Sequence, residues 1–178
     1  MEHLNFNINI DVCSKSELTT EEQQLADRAL QASYHSFAPY SHFHVGAAVL
    51  LKNGITVIGA NQENAAFPSG LCGERACIFS AQSQYPDQPI RILAIAARNG
   101  EKQTEEPVTP CGSCRQVILQ MEQRYHKPVE ILLCGAKKYY RIGSTSGFHR
   151  CRDIAGRYIT DRTAFHIVHF RRRRNCFP

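Results

Sequence analysis

The fold is decided by residues 43–60, which read FHVGAAVLLKNGITVIGA. The apolar run over 43–51 predicts a buried strand, and residues 55–60 predict the strand that returns beside it. The Asn53-Gly54 pair between them is typical of the tight turn of a β-hairpin. We therefore expect an antiparallel hairpin over this stretch.

Helices and strands are predicted on both sides of this hairpin. Upstream, Thr19 and Glu22 fit a capping box, which predicts a helix over 20–36 that Pro39 ends. Downstream, the pattern predicts in turn a helix over 74–84, a buried strand over 90–97, a polar loop over 100–110, a helix over 114–125, a buried strand over 129–133 and a short strand over 139–142. This order predicts a mixed sheet covered by helices, in a three-layer α/β arrangement.

Three cysteines at predicted helix starts indicate a metal site. Cys111 and Cys114 form a C-x-x-C pair, which by itself also serves redox chemistry and structural zinc. Cys72 adds a third thiolate, again just before a helix, and helix N-termini offset thiolate charge. Three protein ligands leave the fourth position of Zn²⁺ to water, which is typical of a catalytic site.

Glu74 stands two residues after Cys72, in the first turn of a predicted helix. From there its carboxylate can reach a zinc-bound water without ligating the metal, and it can carry that water's proton elsewhere. The alternative is an ordinary first-turn glutamate that the helix dipole favours. The zinc deaminase signature pairs such a glutamate with P-C-x-x-C, and this combination favours the catalytic interpretation.

A stretch from about residue 37 to residue 134 resembles the small cytidine deaminases of the three-cysteine type. Several motifs appear in the family's order over about a hundred residues, which makes the resemblance far more specific than any one of them. The matching runs are Pro39-Tyr40-Ser41, Phe43-His44-Val45-Gly46-Ala47-Ala48, Asn61-Gln62-Glu63-Asn64-Ala65-Ala66-Phe67, Cys72-Gly73-Glu74-Arg75 and Pro110-Cys111-Gly112-Ser113-Cys114-Arg115-Gln116.

The resemblance implies an α/β/α fold with a mixed, about five-stranded sheet, assembled as a homotetramer. It implies hydrolytic deamination of cytidine and deoxycytidine to uridine and deoxyuridine, with release of ammonia, in pyrimidine salvage. By motif, Cys72, Cys111 and Cys114 would hold Zn²⁺, and Glu74 would be the proton shuttle. The family usually has alanine where this chain has Gly73, a difference expected to change little.

The resemblance also implies the residues that bind the substrate. Asn61 and Glu63 would hydrogen-bond the sugar hydroxyls, and Phe43 would pack against the nucleoside. Arg75 would soften the charge of the thiolates by hydrogen bonding, with Arg115 assisting. Without the resemblance, the same residues have simpler interpretations. Asn61 would cap the loop after a strand, Glu63 would be a solvated surface charge, and Phe43 would be part of the core.

Composition limits the class of protein. The chain has 178 residues with 43% hydrophobic content, which suits one globular domain with its own core. No apolar run approaches the roughly 20 residues of a membrane span. The start of the chain lacks the layout of a secretion signal, so we expect a cytoplasmic protein with no membrane partner. In a reducing compartment, clustered cysteines more often hold metal than form disulfides.

The charge changes abruptly near the end of the chain. Residues 1–136 carry 10 basic and 14 acidic side chains, whereas residues 137–178 carry 11 and 2. The Leu-Leu-Pro-x-x-Phe-like ending usual in the family is missing. We therefore divide the chain into a catalytic domain, 1–142, and an atypical basic tail, 143–178. The tail either binds nucleic acid or anionic surfaces or results from a frameshift, and disorder is a further expectation for it. The charge change and the lost ending favour the frameshift.

Three other functions are compatible with parts of the sequence. A relative acting on another aminopyrimidine nucleoside, such as the blasticidin type, would share the same motifs. A polynucleotide-binding or editing protein could use the arginine-rich tail, but the body is acidic and lacks an aromatic and basic stacking platform. A non-catalytic zinc protein is disfavoured by Glu74 and by the open fourth position of the metal.

Overall fold

The computed structural model describes residues 9–143. The predictions made for the basic tail lie outside the described residues apart from residue 143, and the division of the chain at residue 142 stays a prediction. None of the helices in residues 9–143 combines the length and the apolar character that crossing a bilayer requires.

Three α-helices and a mixed β-sheet form the described part of the chain. The helices are α1 (Thr20–Ala32), α2 (Gly73–Gln84) and α3 (Gly112–Tyr125). The strands are β1 (Asp11–Cys13), β2 (Phe43–Leu51), β3 (Thr56–Ala60), β4 (Ile90–Asn99), β5 (Lys102–Gln103), β6 (Glu130–Cys134) and β7 (Tyr139–Ile142). The sheet order is β1-β7-β6-β4-β2-β3, with β5 paired to β4. Only the β4–β6 pair among these is parallel, so the sheet is mixed as expected.

The hairpin over residues 43–60 forms as predicted. β2 and β3 are antiparallel, with Gly46 opposite Ala60 at one end of the paired stretch and Leu50 opposite Thr56 at the other. Gly54 in the turn has φ +85°, a conformation that glycine adopts without steric cost. β2 also pairs with β4 along its length, which makes the first strand of the hairpin an interior strand of the sheet.

The helices cover the two faces of the sheet separately. Alternate residues of β2 belong to two apolar cores: Ala47 and Val49 pack with residues of α2 and α3, and Ala48 and Leu50 pack with residues of α1. This alternation is the period of two expected of a strand that is buried on both faces. The three-layer α/β/α prediction is therefore confirmed.

Some predicted bounds differ from the structure. The helix predicted over 20–36 is α-helical only to Ala32 and continues as a 3-10 turn over Ser33–His35. The Ser33 hydroxyl donates to the Leu30 carbonyl at 2.6 Å, which satisfies a carbonyl at the helix end. The loop predicted over 100–110 contains the short β5, and β1 was not predicted, so the sheet has seven strands rather than about five.

Glu22 ties α1 to the sheet. Its buried carboxylate accepts hydrogen bonds from the Thr19 backbone N–H at 2.7 Å, and from Arg141 of β7 at 2.7 and 3.0 Å. Burial alone would raise the pKa of Glu22. The Arg141 guanidinium and the Thr19 donors outweigh that effect and hold its pKa at about 2.

Replacing Arg141 with leucine should leave this carboxylate buried without its cation. We expect the free energy of unfolding, measured by urea at pH 7, to fall by about 2–4 kcal/mol. The matched control is Arg91→Leu, because Arg91 pairs with Glu21 at positions where both side chains are about half exposed. That surface pair should contribute less than about 1 kcal/mol.

The same two variants have a predicted pH dependence. Because the pKa of Glu22 is lowered from 4.5 to about 2, its pairing stabilises the fold fully above pH 4.5 and is lost as the pH falls towards 2. The stability difference between wild type and Arg141→Leu should shrink over that window. A difference that stays constant down to pH 2, or an equal cost for both variants, would contradict this account.

Candidate active site

Three cysteine sulfur atoms meet at the N-termini of α2 and α3. Cys72 immediately precedes α2, Cys111 immediately precedes α3, and Cys114 is buried in the first turn of α3. The Cys111 sulfur lies 3.7 Å from that of Cys72 and 3.3 Å from that of Cys114. All three sulfur atoms lie within 4.8 Å of one another.

This spacing suits a single zinc ion. Two thiolates bound at about 2.3 Å to a tetrahedral zinc have sulfur atoms roughly 3.8 Å apart. The observed separations lie close to that value, and sulfur donors are among the ligands that zinc prefers. Three protein ligands would leave one coordination position for water, so the cluster could hold a catalytic metal.

Close backbone contacts hold the start of α2 against the sheet. A Cβ atom at Gly59 would lie 2.4 Å from the backbone nitrogen of Cys77, and one at Gly73 would lie 2.7 Å from the carbonyl oxygen of Val45. Glycine at both positions therefore lets the helix approach β2 and β3. An alanine at position 73 would require the backbone to move, whereas the sequence suggested that this difference matters little.

Positive charge and hydrogen-bond donors near the cysteines stabilise their deprotonated, thiolate form. The Arg75 Nη2 donates to the Cys72 sulfur at 3.5 Å. Hydrogen bonds from Cys114 and Arg75 lower the pKa of Cys72 to about 5, and the pKa of Cys114 is raised because it keeps the proton that it shares with Cys72. The backbone N–H groups at two helix N-termini add further partial positive charge. The cluster therefore carries thiolate character at neutral pH.

Glu74 contributes a buried carboxyl group beside the sulfur cluster. It lies in the first turn of α2 and is only 5% exposed. Burial raises the pKa of its carboxyl, and the negative charge of Cys72 acts in the same direction. A carboxyl whose pKa is raised in this way holds a proton more readily than an exposed one, which suits a group that transfers protons.

The two residues predicted to bind a sugar lie in the segment after β3. The Asn61 side chain accepts from the Val45 backbone N–H at 2.8 Å and donates to the Phe43 carbonyl at 3.0 Å. Glu63 accepts from the backbone N–H groups of Tyr40 at 2.9 Å and Ser41 at 3.3 Å. Each side chain keeps further hydrogen-bonding capacity, because these contacts use one amide hydrogen of the asparagine and one oxygen of the glutamate.

The remaining predicted residues have different surroundings. Phe43 is half-buried at the start of β2. Arg115 is exposed, and its Nε donates to the Pro110 carbonyl at 2.9 Å. This hydrogen bond holds the segment before Cys111 in place. In contrast to Arg75, its hydrogen bond goes to backbone rather than to sulfur.

Sequence reasoning assigned no role to the turn that holds Glu63. The run Pro39-Tyr40-Ser41 matches the family, and the backbone N–H groups of Tyr40 and Ser41 hold the Glu63 carboxylate. His42 closes the turn, since its backbone N–H donates to the Ala38 carbonyl. Its φ of +55° could have drawn attention only once the structure was known, because sequence alone does not reveal the backbone conformation of a single histidine.

Three cysteine sulfur atoms converge at two helix N-termini beside a buried carboxyl. This arrangement is that of a zinc-binding deaminase. A family model agrees with this class. The model of the "Cytidine and deoxycytidylate deaminase zinc-binding region" matches residues 19–127, and the chain belongs to this family.

Individual relatives are similar over most of their own length. The chain is 40% identical over 101 residues to a cytidine deaminase of Halalkalibacterium halodurans, which spans 57% of this chain and 72% of that protein. It is 35% identical over 119 residues to a cytidine deaminase of Mycobacterium tuberculosis, or 67% and 81% of the two chains. The crystal structure of a cytidine deaminase from Burkholderia pseudomallei superposes with a TM-score of 0.61 at 30% identity, covering 72% of this chain and 94% of that one.

Removing one sulfur of the cluster should remove the metal. We expect about one zinc per chain in the purified wild type and well under half of that in Cys111→Ser, because two thiolates bind zinc far more weakly than three. Elemental analysis of the purified proteins measures the ratio. Cys13→Ser is the matched control, since Cys13 lies in β1 and donates to the Tyr139 carbonyl. Full zinc occupancy in Cys111→Ser, or equal loss in both variants, would contradict the assignment.

Proposed function

We propose that this protein deaminates cytidine and deoxycytidine by zinc-dependent hydrolysis, which gives uridine and deoxyuridine and releases ammonia. The observation that carries the proposal is the convergence of three cysteine sulfur atoms within 4.8 Å at two helix N-termini. The buried carboxyl of Glu74 beside them and the family to which the chain belongs support the same reaction.

Cys72, Cys111 and Cys114 would hold the zinc, with Arg75 moderating the thiolate charge through its contact with Cys72. When bound, the metal would lower the pKa of a coordinated water towards neutrality. A less negative sulfur cluster leaves the metal more strongly electrophilic, so the arginine would support this effect.

Glu74 would move the protons. It would accept the proton of the activated water and pass it to N3 of the pyrimidine ring while the water oxygen adds to C4. It would then take the proton of the hydroxyl group on C4 and deliver it to the exocyclic nitrogen, so that the C4–N bond breaks, ammonia leaves and a carbonyl forms at C4. Its burial supports this role, because a carboxyl withdrawn from bulk water exchanges its proton with the substrate rather than with solvent.

Asn61, Glu63 and Phe43 would bind the nucleoside. The hydrogen-bonding capacity left on the asparagine and the glutamate suits the hydroxyl groups of a sugar. The half-buried Phe43 offers an apolar ring against which the nucleoside can pack. Arg115 would act indirectly by holding the segment before Cys111.

Glu74→Gln should separate metal binding from catalysis. The amide keeps the shape of the side chain but cannot take a proton, so we expect zinc content to stay near one per chain and kcat to fall at least about 100-fold. The ultraviolet change on conversion of cytidine and deoxycytidine measures turnover, with zinc quantified in the same sample. Glu101→Gln is the control, because this carboxylate is 94% exposed. Loss of zinc from Glu74→Gln, or a near-normal rate, would refute the role.

We further propose a homotetramer that acts on free nucleosides in the cytoplasm, in pyrimidine salvage. Three large aromatic side chains near the sugar-binding segment support assembly, since Phe37, Tyr40 and Phe67 are 57%, 63% and 90% exposed. Such groups are commonly covered by a partner surface. The cysteines of residues 9–143 are free thiols, which supports a reducing compartment.

Light scattering coupled to size-exclusion chromatography tests the assembly. We expect the mass of four chains for the wild type. Phe67→Ser should shift the distribution towards smaller species, because it removes an aromatic surface without disturbing the core. A wild-type protein that elutes as a single chain at micromolar concentration would contradict the tetramer.

A further inference from the structure

The segment Ala38–His42 forms a single tight turn beside Glu63. The His42 backbone N–H donates to the Ala38 carbonyl at 3.1 Å, which closes the turn. Pro39 begins it with a φ that proline fixes in the helical range. The backbone N–H groups of Tyr40 and Ser41 then point out of the turn's open end, as they do in the first turn of a helix.

One oxygen of Glu63 accepts both of these N–H groups, at 2.9 Å from Tyr40 and 3.3 Å from Ser41. The Ser41 side chain and the two backbone donors lower the pKa of the Glu63 carboxyl, so it is ionised at neutral pH. The backbone of Glu63 is fixed as well, because its N–H donates to the Phe37 carbonyl at 2.8 Å. The backbone and the carboxylate of Glu63 are therefore both held in place, and the two backbone N–H groups occupy only one of the carboxylate oxygens.

His42 closes the turn in a left-handed backbone conformation, with φ +55°. Only glycine adopts such a conformation freely, and histidine tolerates it better than β-branched residues do. From this residue the chain turns directly into β2, where the Phe43 N–H donates to the Ser41 hydroxyl at 3.1 Å. Any change in the backbone of His42 must therefore shift Ser41 relative to the strand.

We propose that the Ala38–His42 turn is a positioning device for the sugar-binding carboxylate, and that its action depends on the left-handed conformation of His42. The turn orients Glu63 so that its second oxygen faces the sugar hydroxyls of the nucleoside. His42 acts through the backbone, and its imidazole has no part in the reaction. The inference rests on the proposed nucleoside deaminase function and names a residue that determines how the sugar is bound.

A matched pair of variants tests this role. His126 ends α3 with φ +50° and is exposed, and the 14-residue helix places it about 20 Å from the cysteine end. His42→Val and His126→Val thus impose the same backbone strain at two sites, of which only one adjoins Glu63. We expect both to lower stability similarly, but only His42→Val to raise the KM for cytidine, by about tenfold. The kcat should change less than about twofold, because sugar binding is shared by ground state and transition state.

Two further variants keep the test informative if valine disturbs folding. His42→Gly suits a left-handed backbone and should keep the wild-type KM, and His42→Ala should give an intermediate value. The KM should therefore follow the tolerance of each residue for positive φ, and not the presence of an imidazole. Equal KM values for glycine and valine at position 42, or a raised KM in His126→Val, would overturn the proposal.

The substrate offers a second control. With 2′,3′-dideoxycytidine, which lacks the hydroxyls that Glu63 would bind, wild type and His42→Val should have the same KM. A tenfold rise with this substrate as well would show a general disturbance of the site and would overturn the positioning role. If the wild type itself turned over no cytidine while holding zinc, the proposed function would fail. If it turned over cytidine and the variants did not differ from it, only the role of the turn would fail.

Discussion

The site depends on bringing three thiols, each with a tendency to become negative, to a single point. Mutual repulsion opposes this arrangement, and the fold offsets it by directing the N-termini of α2 and α3 at the same place and by setting Arg75 against Cys72. The helices can reach this point because glycines at positions 59 and 73 allow α2 to lie against the backbone of β2 and β3. Close packing of helix on sheet is thus the condition for the chemistry.

The same few strands also position the residues proposed to bind the substrate. Asn61 bridges the Phe43 carbonyl and the Val45 N–H, and Glu63 is held by the turn that precedes β2. The residues proposed to bind the sugar lie in or directly beside the hairpin of β2 and β3, and Cys72 lies in the segment that follows it, whereas Cys111 and Cys114 lie at the start of α3. Because α2 packs closely on the hairpin, displacement of the hairpin would move Cys72 together with the residues proposed to bind the sugar.

Much of this architecture could be predicted because short, local sequence patterns specify it. The Asn53-Gly54 turn specified the hairpin, the Thr19 and Glu22 pair specified the start of α1, and the cysteine spacing identified the metal cluster. The contacts that escaped prediction are tertiary. β1 is only three residues long and is stabilised by its pairing with β7. The turn that ends at His42 can be assigned a role only from its hydrogen bonds to Glu63, which is distant in sequence. The roles of individual site residues and the nature of the tail remain predictions.

The central claim is that three cysteines and Glu74 use one zinc ion to deaminate cytidine. The most direct measurement is to strip the protein of metal, add zinc in steps, and follow cytidine conversion by ultraviolet absorbance. The account predicts that the metal-free protein is inactive and that the rate rises in proportion to bound zinc until one ion is bound per chain. Full activity in the metal-free protein, or no conversion of cytidine or deoxycytidine at one zinc per chain, would contradict it.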